Sequence, residues 1–181
     1  MSDGEAVGAM AGRLRIRRME PADVDVRSAY FHDATDEHLA LLGVDRAKLP
    51  DPAPWRAEFE EQFRRPVRER TSDGVVWELD GVMIGFSTID RIMFGDEAFM
   101  HLHIIDPGRR RAGLGTQLVV RSARHYLDAF ELDRLYCEPH AFNPAPNRTL
   151  QRAGFRHLST QVTTPGPLNL RQTTNRWVLE R

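Results

Sequence analysis

The sequence contains a single cysteine, Cys137, and a single lysine, Lys48, among its 181 residues. One cysteine excludes an internal disulfide framework. No apolar run approaches the ~20 residues that a membrane-spanning helix needs. Residues 1–12 have neither the basic segment nor the hydrophobic segment of a secretory signal, so we expect a cytoplasmic protein.

An excess of charge of one sign is also missing, because 25 basic residues stand against 26 acidic ones and leave a formal net charge of −1. This balance excludes a protein-wide attraction to nucleic acid or to an anionic membrane. The hydrophobic fraction of 41% is that of an ordinary globular protein. We therefore expect a disordered tail over 1–12 and one domain over 13–181, with neither nucleic acid nor membrane as a partner.

Hydrophobic periodicity predicts the order of helices and strands. Leu14 and Ile16 alternate with arginines, as in a half-buried strand, and Asp80-Gly81 is typical of a hairpin turn. Together the patterns predict an α/β (α+β) single domain with a mixed, mostly antiparallel twisted sheet of about six to seven strands flanked by helices. The predicted strands are 75–79, 82–89, 98–105 and 134–137, with one near Leu14 and closing strands around Val162 and 177–179; the predicted helices start at Pro21 and cover 51–65, roughly 118–130 and 147–153.

The stretch from Ile105 to Thr116 leaves a strand and enters an amphipathic helix. Gly113 and Gly115 allow a ligand close to the backbone, and the first amides of a helix lack intrahelical partners. Such amides form an anion site suited to a pyrophosphate, and the arginines at 109–111 add positive charge. Leu118 stands where the dinucleotide fingerprint needs its third glycine, and no lysine is near enough for a Walker loop. A plain glycine-containing helix start is the alternative.

These residues resemble a known signature. Arg110-Arg-Ala-Gly113-Leu-Gly115 matches Arg/Gln-x-x-Gly-x-Gly/Ala, Ile105-Asp-Pro107 matches the strand end before it, and Asn143 and Gly154-Phe155 follow in the expected order. The sequence thus resembles the GNAT family of acyl-CoA-dependent N-acetyltransferases. The resemblance implies a GNAT-like fold with a splayed parallel strand pair.

The resemblance also implies acetyl-CoA as cosubstrate and no metal. Asn143 is then expected to contact the pantetheine arm, and the backbone around Ile105 to pair with it like another strand. Because family members often pair through C-terminal strands, a homodimer is plausible. The loop amides expected to hold the CoA pyrophosphate are those of Arg110, Arg111, Ala112, Gly113, Leu114, Gly115 and Thr116.

An acceptor amine must lose a proton before it attacks a thioester, which requires a general base with a pKa near neutrality. His101 and His103 lie on one face of a predicted strand together with Ile105, and histidine titrates in this range. His103 is the first candidate, because it occupies the place of a glutamate base in histone-acetylating GNAT members. His101 is the second, since the His-x-His pair is similar to that of arylalkylamine acetyltransferases. Both residues can instead be hydrogen-bonded cross-strand residues without a catalytic role.

Glu138 is the third catalytic candidate, at the end of the next strand, where a carboxylate can bind the substrate ammonium or act through water. Alternatively, Glu138-Pro139 only shapes the turn towards Asn143. Many family members carry a tyrosine acid in the following helix, but residues 149–152 contain none. The thiolate therefore leaves unassisted or another group donates the proton.

Three other chemistries fit the residues less well. Cys137 as a nucleophile is disfavoured because mid-strand cysteines usually fill the core. A zinc site from His101, His103 and His140 lacks a persuasive ligand set. An RNA-binding patch at 109–111 lacks interleaved aromatic residues.

The sequence therefore predicts transfer of the acetyl group of acetyl-CoA to a primary amine by direct attack in a ternary complex. The acceptor stays open between a small amine, an amino sugar and a protein N-terminus, with a small molecule favoured. Two rival interpretations remain: a non-catalytic CoA-binding sensor or partner module of the same fold, and a nucleotide or phosphate binder outside this family.

Overall fold

The computed structural model describes residues 13–105 and 113–181. The predicted tail over 1–12 lies outside these residues. None of the helices in the described part of the chain is long and apolar enough to cross a membrane. The strands are β1 (Leu14–Arg18), β2 (Ser72–Leu79), β3 (Val82–Met93), β4 (Glu97–Ile104), β5 (Arg134–Cys137), β6 (Arg156–Thr163) and β7 (Gln172–Glu180), and the α-helices are α1 (Pro21–His32), α2 (Asp36–Leu42), α3 (Pro52–Arg64), α4 (Leu114–Ala129) and α5 (Pro144–Arg152).

The seven strands form one sheet in the order β1-β2-β3-β4-β5-β7-β6. All neighbouring pairs are antiparallel except β4 and β5, which run parallel. The connection between these two strands contains α4, as a parallel crossover requires. The predicted mixed sheet with one parallel pair is confirmed.

The parallel pair is short and then opens. Pairing covers only Glu97–Phe99 of β4 and Arg134–Tyr136 of β5. Beyond it β4 continues beside β3, whereas the chain after β5 stays with β7 through the bridge between His140 and Thr174. A wedge-shaped gap therefore opens between β4 and β5, with its apex at Phe99 and Tyr136.

Two hydrophobic cores cover the two faces of the sheet. Helices α4 and α5 pack on one face through a cluster that includes Leu118, Tyr126 and Leu150. On the other face α1, α2 and α3 contribute to a second cluster. Phe31 and Trp55 belong to this second cluster. Because His101 and His103 alternate with residues of the first core, they lie on the face that carries α1 to α3.

Local sequence explains the turns that align these elements. Glu20 and Asp23 form a reciprocal capping box at the start of α1. Asp80 and Gly81 both have positive φ, 53° and 77°, as a two-residue hairpin turn requires. Helix α5 begins at Pro144, three residues before the predicted start, because proline is favoured in the first turn of a helix.

Gly85 keeps β3 close to β4. A Cβ atom at this position would lie 2.5 Å from the carbonyl oxygen of His103 and 2.9 Å from the ring of Trp77. Neither neighbour is the free end of a flexible side chain, so the strands would have to separate. Because Gly85 has no side chain, β4 can approach β3 closely at His103.

We predict that Gly85→Ala lowers the free energy of unfolding by about 1–3 kcal/mol through overpacking. Gly74→Ala is the matched control, because its Cβ would meet mainly the flexible end of Met19 at 3.2 Å. Urea unfolding of both variants measures the difference. Equal losses for both would contradict the role given to Gly85.

Candidate active site

A cavity of about 610 Å³ opens on the α1–α3 face of the sheet and reaches the wedge between β4 and β5. Phe31 of α1 and Trp55 of α3 line one part of it, and His101 and Glu138 line the part at the wedge. Gly166, in the loop before β7, closes a further side. This volume is typical of a small-molecule site.

His101 and Glu138 flank the apex of the wedge. Phe99 of β4 is the partner of Tyr136 of β5 in the parallel register. His101 lies two residues after Phe99 on β4, and Glu138 lies two residues after Tyr136, directly beyond the end of β5, so both side chains point to the same face. Both side chains line the same cavity.

His101 contacts a carboxylate that sequence reasoning missed. Its Nε2 atom lies 3.1 Å from Oδ2 of Asp90 on β3, a contact that pairs charges only when the imidazole is protonated. The imidazole also abuts Gly166, where a Cβ atom would lie 3.1 Å from its Cε1. Nε2 faces the carboxylate, which leaves Nδ1 as the nitrogen that can accept a further proton.

Asp90 is an ionised partner for this imidazole. Burial acts to raise the pKa of Asp90, but His101 and Arg91 more than offset it, so this pKa lies below its ordinary value. The Nε atom of Arg91 donates to Oδ1 of Asp90 over 3.2 Å. A carboxylate held in the charged form stabilises an imidazolium beside it.

Glu138 is a buried carboxylate with one oxygen bound and one free. Its side chain is only 1% exposed. The Nε atom of Arg176 and the Nε2 atom of Gln161 donate to Oε1 over 2.6 and 3.0 Å. Oε2 is buried without a hydrogen-bond partner among the described residues, and the guanidinium of Arg91 lies 4.0 Å from it. Such an orphan acceptor inside a cavity suits a ligand that donates a hydrogen bond.

His103 has a different environment from His101. Its imidazole stacks on Phe86 at 5.0 Å and meets Phe31 and Tyr30 edge to face. Burial, with smaller contributions from His101 and Arg27, lowers the pKa of His103 to about 3. An imidazole this weakly basic fits a general base at neutral pH poorly, which runs against the expectation that His103 is the first candidate.

Cys137 also lines the cavity, but it is buried in the core on the α4 side of the sheet. Burial raises the pKa of its thiol to about 12, and the Glu138 charge adds to this. The thiolate that a nucleophile requires is therefore disfavoured. Among the described residues, no three potential metal ligands lie together.

The glycine-rich turn ends on the opposite face of the sheet, at the start of α4. Gly113 is the N-cap of α4 with φ of 85°, a left-handed conformation that favours glycine. The amides of Leu114, Gly115 and Thr116 follow in the first helical turn, where no intrahelical acceptor exists. A Cβ at Gly115 would meet Thr149 and Ile104 only at 3.8 Å and beyond, so alanine also fits there. Arg110, Arg111 and Ala112 lie outside the described residues.

Part of the β4 backbone faces the wedge with no partner strand among the described residues. The amide of Ile105 donates to the carbonyl of Ile84 on β3 over 3.0 Å. Because peptide groups alternate in direction along a strand, those of Leu102 and Ile104 point away from β3. They face the wedge, beyond the last pairing of β4 with β5.

Asn143 lies on the far side of the wedge from these peptide groups. It is buried, lines the cavity and is the N-cap residue of α5. Its side-chain amide donates to the carbonyl of Leu41 over 3.4 Å. Asn143 and the β4 backbone thus border the wide end of the wedge.

Sequence reasoning missed Asp90, Arg91 and Arg27, which all line the cavity. Asp90 is paired with Phe99, the residue at the apex. The one available signal was the period-two alternation of β3, which places Asp90 on the same face as Phe86. Arg27 carried no sequence signal, because its role depends on how α1 packs.

We predict that protonation of His103 in the unfolded chain makes the protein less stable below pH 6.5. The folded protein keeps His103 neutral down to about pH 3, whereas the unfolded chain binds a proton near pH 6.5. Stability is therefore lost as the pH falls, by at most about 1.4 kcal/mol per pH unit. Urea unfolding at pH 7 and at lower pH should show a shallower decline for His103→Phe, which preserves the ring contacts. If stability declined equally with pH in the unmodified protein and in His103→Phe, the buried aromatic environment assigned to His103 would be wrong.

Known proteins share both the sequence pattern and the fold of this chain. The family described as acetyltransferase (GNAT) matches residues 40–155. No curated protein gives a significant match. Among the solved structures that share the fold is yncA, a putative acetyltransferase from Salmonella typhimurium with acetyl-CoA, which is 18% identical over 92% of this chain and 93% of that one, with a TM-score of 0.70. Spermidine N-acetyltransferase from Vibrio cholerae with CoA and spermine is 16% identical over 92% of this chain and 95% of that one, with a TM-score of 0.67. Aminoglycoside acetyltransferase AAC(6')-Ib with coenzyme A is 17% identical over 93% of this chain and 95% of that one, with a TM-score of 0.68.

The family match covers well over half of the chain and includes β4, the start of α4, β5 and Asn143. The structural neighbours agree with it over nearly the whole chain. The chain belongs to the GNAT family of acetyltransferases.

Proposed function

We propose that this protein transfers the acetyl group of acetyl-CoA to the primary amine of a small molecule, by direct attack in a ternary complex. The observation that carries the proposal is the pair His101 and Glu138, which flank the apex of the wedge and face one cavity. An amine in the cavity and a thioester at the apex would meet between these two side chains.

The residues around the wedge fit a CoA cosubstrate. The free peptide groups of Leu102 and Ile104 suit the amides of a pantetheine arm, as an added strand would. Asn143 lies across the wedge from them, and Ile105 is at its wide end. The N-terminal amides of α4, which follow three consecutive arginines in the sequence, suit the pyrophosphate. An arm that enters at the wide end brings its thiol end to the apex.

The cosubstrate supplies an electrophilic thioester carbonyl, and the chain's own groups handle the proton and the charge. Glu138 Oε2 accepts a hydrogen bond from the acceptor ammonium and orients it. His101 takes the proton at Nδ1, with Asp90 stabilising the resulting imidazolium. The amine nitrogen then bonds to the carbonyl carbon while an N–H group of β4 stabilises the negative charge on the carbonyl oxygen. The C–S bond breaks, and CoA leaves as a thiolate that takes up the second proton of the nitrogen. His103 holds the aromatic wall in place and takes no proton.

A small-molecule acceptor is supported by the size and enclosure of the cavity. Two of the structural neighbours are named as spermidine and aminoglycoside acetyltransferases. Among the described residues, the cavity wall carries cationic as well as anionic side chains, including Arg27 and Arg91. It is therefore not a purely acidic groove of the kind a polycation would need.

We predict that acetyl-CoA or CoA, at ~100 times its dissociation constant, stabilises the protein by about 2.7 kcal/mol. This stabilisation raises Tm by about 5–10 °C. ATP and NAD should leave Tm unchanged. Gly113→Ala should weaken this shift strongly. Gly81→Ala is the control, because Gly81 lies in a hairpin turn and its φ is similar to that of Gly113. At both positions the structure shows open space within 4 Å of an added Cβ atom. Both variants carry the same backbone strain, but only Gly113 borders the proposed phosphate site.

No shift with any CoA species would contradict the acyltransferase proposal. A shift that Gly113→Ala and Gly81→Ala reduce equally would contradict the assignment of the phosphate site to the start of α4.

We predict that His101→Gln lowers kcat by about 10²–10⁴-fold, because the general base is lost. Glu138→Gln should mainly raise KM for the amine. His157→Gln is the control, since His157 packs on Trp177 at 5.2 Å on the edge strand β6. Steady-state release of free CoA thiol over a panel of amines measures all three.

Unchanged kcat in His101→Gln would overturn the assignment of the base. Tight CoA binding without turnover of any amine would instead indicate a non-catalytic CoA-binding module.

A further inference from the structure

Arg27 of α1 is a charged side chain in the cavity that the acetyl-transfer chemistry does not use. Its guanidinium lies over the ring of Trp55, 4.4 Å from the centroid. Its Nε atom is buried without a hydrogen-bond partner, and no ion pair joins it within the described part of the chain. Arginine side chains in such positions are normally paired, so an unpaired one inside a cavity points to a ligand.

Arg27 stays charged at neutral pH despite its burial. Burial lowers the pKa of Arg27 to about 10, and Glu58 and Asp90 act in the opposite direction from a longer range. A pKa of about 10 still leaves the guanidinium protonated at neutral pH. The planar group presents a fork of N–H donors that matches a carboxylate.

The position of Arg27 separates it from the CoA phosphates and from the reacting amine. Arg27 belongs to α1, on one face of the sheet, whereas α4 and its anion-binding N-terminus lie on the other. A row of ring contacts leads from Arg27 to the strand of His101. Trp55 packs on Phe31 at 5.9 Å, and Phe31 packs on His103 at 5.0 Å.

Two groups of opposite charge in the cavity therefore keep an atom without a hydrogen-bond partner among the described residues. They are Oε2 of Glu138 at the apex of the wedge, whose other oxygen binds Arg176, and the guanidinium of Arg27 beyond the aromatic wall. An acceptor with a cationic amine at one end and a carboxylate at the other would satisfy both. A simple alkylamine or a polyamine would leave Arg27 desolvated and unpaired, which is costly.

We propose that the acceptor is an amino carboxylic acid, with Arg27 as the residue that binds its carboxylate. This inference rests on the proposed acetyl transfer for its biological meaning. The apolar section between the two charges, formed by Phe31, Trp55 and Phe86, is where the carbon chain of the acceptor lies.

The test compares acceptors that differ only in the carboxylate. The series β-alanine, γ-aminobutyrate and ε-aminocaproate is measured against the alkylamines that lack the carboxylate and against the corresponding amides. We expect kcat/KM to favour one of the acids by about 10- to 100-fold over its neutral counterparts, because a charged hydrogen bond is made only with the acid. The preferred chain length reports the distance from the amine to Arg27.

Arg27→Gln should abolish this preference, so that each acid and its neutral counterparts react with the same kcat/KM. Arg27→Lys should retain part of it, because the charge remains without the fork. Arg18→Gln is the matched control. Arg18 also lies 4.4 Å from an aromatic centroid, that of Phe63, but it does not line the cavity. Loss of the preference in Arg18→Gln as well would indicate a general loss of structure and overturn the assignment.

Calorimetric binding of ε-aminocaproate and its amide, with and without CoA, makes the result independent of turnover. Tighter binding of the acid that disappears in Arg27→Gln supports the inference, even if no acetyl transfer occurs, and in that case the proposed function alone fails. Equal binding of acid and amide by the unmodified protein, or acetylation of alkylamines as fast as of the acids, overturns the inference and leaves acetyl transfer intact.

Discussion

The parallel pairing between β4 and β5 lasts for only three residue pairs, and the site depends on where it stops. Because β4 remains bound to β3 and the chain after β5 remains bound to β7, the two strands diverge without either losing its other neighbour. The divergence turns the peptide groups of Leu102 and Ile104 toward the gap, where no strand of the described residues pairs with them. Peptide groups without a partner strand are available to a bound ligand, so this gap is more readily explained as a binding site than as a packing defect.

The sheet divides the site into two sides. The N-terminus of α4, suited to phosphates, lies on one face, and the cavity with Arg27 and the aromatic wall lies on the other. The wedge is the passage between them, and His101 and Glu138 stand at its narrow end. Oε2 of Glu138 and the guanidinium of Arg27, neither of which has a hydrogen-bond partner among the described residues, face the same cavity. A ligand with an amine at one end and a carboxylate at the other would pair with both.

Sequence reasoning succeeded where a local pattern determines the structure. The hairpin at Asp80-Gly81, the strand at 134–137 and the shared face of His101 and His103 all follow from turn chemistry and period-two alternation. It could not decide which histidine faces Asp90 and which faces the rings of Phe31 and Phe86. That difference arises from the packing of α1 against the sheet. Arg27 and Asp90 are separated by 63 positions in the chain and meet the same cavity only through tertiary structure.

The central claim is that CoA lies along the unpaired edge of β4 and reaches the apex of the wedge. Residue-resolved amide hydrogen exchange with and without CoA tests it most directly. The account predicts that the amides of Leu102 and Ile104 become protected on binding, together with those of Leu114 to Thr116. The amides of His101 and His103, already directed at β3, should change little. Protection of the α4 amides alone, with Leu102 and Ile104 unchanged, would contradict the account.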